Sequence, residues 1–240
     1  FRSGGRLSSL LNMNTKNGNE EETKASWGIG PVSARAVVEG PLIKNKLTFL
    51  LGGRAAYPNY LIKAFPKNVN ESRAFFYDAN AKLQYKFNTN NRLSLTFYRS
   101  YDNFKFPEDT VYHWTTTAAS MQFSSVLRKN LFLNLNLIHS DYQFALDGIK
   151  PDYEYSYASS IRQQEAKFGF LFTPNDRLKF DWGGNFIHYT LNPGALNPVG
   201  DFSIINSDKI PDEQANEMAG YASGEWEISK TFSIQTGIRY

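Results

Sequence analysis

Residues 131–138 read LFLNLNLI, with a leucine at every second position. In an extended chain Leu131, Leu133, Leu135 and Leu137 share one side, and Phe132, Asn134, Asn136 and Ile138 the other. A helix would scatter these side chains around its axis, whereas a strand sorts them onto two faces. The same period recurs along the chain: Leu93, Leu95 and Phe97 in RLSLTFYRS, and Phe168, Phe170 and Phe172 in KFGFLF. Further on, Leu178, Phe180 and Trp182 alternate with Lys179, Asp181 and Gly183, and Phe232, Ile234, Ile238 and Tyr240 oppose Ser233, Gln235, Gly237 and Arg239.

Composition agrees. Aromatics are 15% of the 240 residues, with 19 Phe and 14 Tyr, yet mean hydropathy is −0.46. Large apolar groups are therefore interleaved with polar ones, as in a sheet with one wet and one greasy face. No run approaches the roughly 18 apolar residues of a spanning helix, which excludes an α-helical membrane protein. The net charge of +3 is scattered, so nothing points to nucleic acid as a partner. With Cys absent, disulfides and thiolate metal sites are ruled out.

The breaks between runs are unequal. Lys44-Asn45, 88–91, 128–130, 174–176 and Ser229-Lys230 are short and turn-like, because Asn, Asp and Pro tolerate or pre-set turn dihedrals. Residues 57–74, 102–112, 146–155 and 191–217 are long, rich in proline, and alternate with the short ones. The reading predicts ten strands: 25–38, 46–56, 75–87, 91–101, 113–127, 131–145, 156–173, 177–190, 218–228 and 231–240. Most reach the 9–11 residues that a spanning strand needs, against about five or six in a soluble sandwich. The predicted fold class is therefore all-β, a transmembrane antiparallel barrel, with short turns at one end and long loops at the other. Aromatics near strand ends (Trp27, Tyr57, Tyr60, Phe104, Phe106, Tyr112, Trp114, Tyr142 and Tyr189) are expected to form interfacial girdles.

The opening GGRLSSLLNMNTKNGN (residues 4–19) resembles the final plug strand of TonB-dependent outer-membrane receptors, in particular the Bacteroidetes type. GIGPVSARAVVEGPLIKNKLTFLLGGRAAY (28–57) resembles that family's first barrel hairpin, with Gly40-Pro41 near the periplasmic turn and Arg54 high on the second strand. GEWEIS and FSIQTGIRY resemble its repeated hairpin halves. The resemblance implies residues 1–19 as the end of a plug, 20–24 as a linker, and 25–240 as the first part of a barrel of about 22 strands. It implies a stretch from within a longer polypeptide of the Gram-negative outer membrane. The implied role is import of a scarce nutrient (iron chelate, cofactor, glycan or peptide) with energy from TonB. The implied partners are TonB, acting through a box upstream of Phe1, outer-membrane lipid, and a surface lipoprotein or other outer-membrane subunits. A non-transporting structural or secretion-associated barrel is the alternative, and a passive porin would leave the opening stretch unexplained.

No enzyme site is expected. Gly4-Gly5, Gly28-x-Gly30 and Gly52-Gly53 have no following helix to make a phosphate cradle. His113, His139 and His188 are isolated in sequence, so no metal site or catalytic triad is expected, and no cofactor. Glu20-Glu21-Glu22 reads as a solvated linker. The charges Lys82, Lys86, Lys179, Asp181, Glu225 and Arg239 are expected to face the lumen, against the plug or a substrate path, because a charge facing lipid at mid-depth costs about 2–4 kcal/mol. Ligand contacts are expected from the loops 57–74 and 191–217.

Overall fold

The computed structural model describes Gly4, residues 14–107 and residues 110–240. These form one antiparallel sheet. Its strands are β1 (Lys24–Ile29), β2 (Ser33–Ile43), β3 (Leu47–Ala56), β4 (Arg73–Lys86), β5 (Asn91–Lys105) and β6 (Val111–Arg128). They continue with β7 (Leu131–Gly148), β8 (Tyr155–Asn175), β9 (Leu178–Pro198), β10 (Asp208–Lys209), β11 (Glu213–Ser229) and β12 (Phe232–Arg239). Each strand pairs with the next, except that β10 folds back on β9 and β11 takes the following place.

Short polar side chains build the tight turns. Asn45 supplies a left-handed residue at φ 59°, which asparagine tolerates better than most. The Asn88 Oδ1 accepts the backbone N–H groups of Asn90 and Asn91, and the Asn175 Oδ1 accepts that of Arg177. Register shifts at Pro41/Ile43, Val126/Arg128, Phe172/Asn175 and Glu227/Ser229 all lie beside these turns, where a bulge ends pairing at a sheet rim.

The structure differs from the sequence reading in three ways. The segment predicted as one strand over 25–38 is a hairpin, β1 and β2, turned at 30–32 where the Gly30 N–H bonds the Ser33 carbonyl. The predicted loops at 102–112, 146–155 and 191–217 are shorter because paired strands run into each of them. Hydrogen-bonded pairing continues there although apolar–polar alternation does not. The loop after β3 carries two single-turn helices, α1 (Asn59–Ile62) and α2 (Lys67–Asn70). Most of the proposed plug strand, including Leu7, Ser9 and Leu11, lies outside the described residues.

Candidate functional site: the polar face of the wall

Cross-strand partners in an antiparallel sheet share a face. The register aligns Glu39, Leu50, Lys82, Thr96, Ser120, Ile138, Glu165, Ile187 and Glu217 in one row across nine strands. Counting by twos from this row, Lys82, Lys86, Lys179, Asp181, Glu225 and Arg239 all fall on this face. Phe49, Leu51, Leu83, Leu95, Phe97, Met121, Leu135, Leu137, Phe168 and Trp182 fall on the other.

The six charges form two groups. Near the short-turn end, residues 14–22 lie against β2–β4. The Lys86 Nζ reaches both Glu20 carboxylate oxygens at 2.6 Å, the Lys82 Nζ donates to the Thr15 carbonyl at 2.8 Å, and Lys16 pairs with Glu39. The Asn19 Oδ1 accepts the N–H groups of Glu21 and Glu22 and so turns the segment, while the Asn45 N–H bonds the Glu20 carbonyl. Gly18 is required here: a Cβ would overlap the Phe49 carbonyl oxygen. Glu20 is thus bound to the wall, not free in solvent as a linker residue would be.

The second group spans β8–β12. Glu165, almost buried, pairs with the Lys167 Nζ at 2.9 Å and accepts from the Asn185 amide at 3.4 Å. The Arg239 guanidinium donates to the Asn185 Oδ1 at 3.1 Å, and the Tyr221 hydroxyl to Asp181 at 3.2 Å. Lys179 faces Glu225 at 3.4 Å. Gly4 also sits here; a Cβ on it would come within 2.7 Å of the Arg239 Cδ. Gly4 therefore touches this face near β12, and residues 14–22 touch it at β2–β4.

Higher on the same face the Arg54 guanidinium grips Asp78 (Nη2–Oδ2 2.6 Å). Above that level the wall changes character. Tyr112 and Trp114 stack at 5.9 Å between ring centroids, Trp114 meets Phe144 at 5.8 Å, and Phe144 meets Tyr157 at 6.4 Å. All four rings lie on the face of Lys82. At the same height the opposite face carries Thr115, Thr117, Asp141, Gln143 and Arg162. The polarity of the wall inverts.

Five of the nine aromatics expected in the girdles are accordingly divided. Trp27 lies on the apolar face at 77% exposure. Trp114 and Tyr189 lie on the polar face. The hydroxyls of Tyr57 and Tyr60 bind the Gly30 and Pro31 carbonyls, clasping the loop after β3 to the β1–β2 turn. His113, isolated in sequence, finds its partners across strands. Its Nδ1 meets the Tyr101 hydroxyl at 3.0 Å and the Asn103 amide at 2.9 Å, and its Nε2 meets Asp147 at 3.0 Å. Among the described residues no cluster of His, Asp and Glu is arranged to hold a metal ion.

On the apolar face the centre of the greasy window drifts: Trp27 on β1, Ala81 on β4, Leu135 on β7, Ala222 on β11 and Thr236 on β12. Against the register this is about one residue, 3.4 Å, per 4.8 Å strand spacing, a tilt of about 35° from the window's axis. On β7 the window runs from Leu131 to His139, about 22 Å of height after the tilt, close to the ~25 Å band of membrane barrels. Rings mark its edges, Tyr77 and Tyr101 above, Tyr85, Phe87 and Phe123 below. An open cavity of about 1050 Å³ also lies on this face, walled by Phe49, Leu51, Leu83, Leu95, Phe97, Met121, Leu137 and Phe186.

This pleated, tilted wall has counterparts among solved structures. The copper transporter OprC superposes with a TM-score of 0.72 at 9% identity, over 93% of this chain and 37% of that one. The ferric-catecholate import receptor Fiu of E. coli K12, in its open form, gives 0.69 at 14% identity, over 94% and 45%. A mutant of the ferric enterobactin receptor PfeA of Pseudomonas aeruginosa gives 0.65 at 13% identity, over 86% and 36%. The fold is part of a TonB-receptor β-barrel. The chain spans less than half the length of these receptors. No protein-family model matches it, and no curated protein matches it in sequence. In a TonB-receptor barrel the drifting apolar window is the lipid-facing side, and the face bearing Lys82 and Glu165 is the inner one.

Proposed function

We propose that this chain is part of a TonB-dependent outer-membrane receptor, of the Bacteroidetes type that the opening residues resemble, and that the whole protein imports a scarce nutrient. Residues 1–19 are the end of the plug, 20–24 the step out of it, and 25–240 the first part of the wall. The observation that carries the reading is the docking of residues 14–22 on the inner face through Lys82, Lys86 and Glu39. A porin-like wall has no use for a preceding segment bound across its inside; a plugged transporter does. Lys82 and Lys86 hold this segment, Arg239 lies against Gly4, and Asp181, Lys179 and Glu225 hydrate and brace the lumen. The aromatic run Tyr112–Trp114–Phe144–Tyr157, with the loops 57–74 and 191–217 above it, offers ligand a flat apolar surface inside the outer mouth. TonB supplies the force that withdraws the plug.

The test uses the intact polypeptide in a host lacking its own copy. Uptake of the nutrient that supports growth should vanish when TonB is deleted and fall about tenfold in Trp114→Ala/Phe144→Ala, with the folded barrel retained by heat-modifiable gel mobility. TonB-independent uptake would exclude active import. Absence of any growth or uptake phenotype would favour the non-transporting scaffold.

A further inference from the structure

Above the greasy window, the lipid-facing side of β4–β8 is cationic in a way that the wall itself does not use. Arg73 and Lys105 are directly opposed cross-strand neighbours on this side, an arrangement of like charges that costs stability when nothing lies between them. Arg99 stands lower on the same strand as Lys105, opposite Ala79 and Thr117. None of the three makes an ion pair with any described residue. Among the described strand residues, the two acids on this side at these heights are already engaged: Asp141 by Arg162 at 3.2 Å and Asp147 by His113 at 3.0 Å. From Arg99 to Lys105 is six residues, about 17 Å of height at the tilt derived above. Directly below, the open cavity on the apolar face meets a polar upper rim of His139, Gln164 and His188.

We propose that this surface is a docking site for a phosphorylated glycolipid of the outer leaflet, with an acyl chain in the cavity and anionic head groups on Arg99 and on the Arg73/Lys105 pair. The proposal rests on the outer-membrane reading above. The two heights of unpaired cation favour this ligand over an ordinary phospholipid. A glycerophospholipid places its one phosphate at the Arg99 level and leaves the upper pair empty; a head group bearing phosphates along an extended sugar serves both. Guanidinium groups bind phosphate oxygens in bidentate fashion, which suits Arg73 and Arg99.

The full-length protein in detergent is incubated with diphosphoryl lipid A carrying a phosphorylated inner core, or with phosphatidylglycerol, and retained lipid is counted by native mass spectrometry. Wild type should keep the glycolipid at least tenfold better than phosphatidylglycerol, and Arg73→Gln/Arg99→Gln/Lys105→Gln should abolish that preference. Lys150→Gln, on a neighbouring loop, should leave it intact. Equal retention of the two lipids by wild type, or an undiminished preference in the triple variant, overturns the proposal. Heat-modifiable gel mobility is read on every sample. Loss of mobility shift in wild type would refute the membrane-barrel reading, whereas a normal shift without lipid preference refutes the lipid site alone.

Discussion

Leu135 and Asn136 are chain neighbours on opposite faces of β7, and Leu135 lies at the centre of the window from Leu131 to His139. An arginine at each position gives opposite outcomes if the faces are assigned correctly. Leu135→Arg puts a cation at mid-depth against lipid, at a cost of about 2–4 kcal/mol. Leu135 is 40% exposed in the wall itself, so no protein partner waits there to receive the charge. Asn136→Arg puts the same group on the inner face beside Gln122 and Lys167, where water and nearby polar groups keep the cost below about 1 kcal/mol. The folding equilibrium in a bilayer should therefore fall about thirtyfold to several hundredfold for Leu135→Arg and less than about fivefold for Asn136→Arg. Reversible urea unfolding of the full-length protein in short-chain phosphatidylcholine vesicles, followed by tryptophan fluorescence and gel mobility, measures both. Equal costs, or a greater cost for Asn136→Arg, would refute the assignment of inner and outer faces and with it everything built on the polar cluster.

Gly18→Val should expel residues 14–22 from the wall, since its side chain would run into the Phe49 backbone; cleavage by trypsin after Lys16 should speed up about tenfold while the barrel stays folded. Lys86→Gln and Glu20→Gln, each side chain a little over one-third exposed, should show a coupling of about 0.2–1 kcal/mol in a double-mutant cycle, smaller in high salt. A coupling unaffected by salt would contradict an ion pair at the water-filled side. Glu165→Ala strands Lys167 and an Asn185 donor next to a nearly closed site, and should lower stability by about 1–3 kcal/mol in the same urea titration.

Parity made the sequence legible where side-chain contrast was strong. Lys82 and Lys86, or Lys179 and Asp181, are separated by an even number of residues within one strand, so their common face follows from extended geometry alone. The β1–β2 turn was hidden because its flanks lack contrast: Ala34, Ala36 and Gly28 carry no signal when the face changes at Gly30-Pro31. Trp114 and Tyr189 were misplaced for a different reason. Aromatics near a strand end suggest a lipid interface only while the outside of the wall is the greasy side, and above the window it is not. The His113–Asp147 pair spans 34 residues and exists only because the β6–β7 register places Val111 opposite Asp147 and Ala145 opposite His113. Short spacing rules have no access to such a pair.

The inversion of polarity also bears on the import proposed above. A wall inside a bilayer shows grease outward and polarity inward because lipid and a hydrated lumen lie on its two sides. Once β6, β7 and β8 rise above the window, hydrocarbon no longer lies outside, and Thr115, Asp141 and Arg162 replace the leucines. Nothing in that change requires the inner side to become apolar. Tyr112, Trp114, Phe144 and Tyr157 nevertheless form a continuous run there, and on the proposed function this is where a loop, plug apex or ligand would meet the inner side. Trp114 lies six register positions above the row of Lys82, about 17 Å of height at the derived tilt. The surface that would touch a ligand is thus more than a turn of loop away from the ion pairs holding residues 14–22, with the Arg54–Asp78 pair between them. A ligand on the aromatic run does not itself break the Lys86–Glu20 contact. On the proposed function, release of the docked segment is therefore expected from its own end, as a pulling partner would drive it.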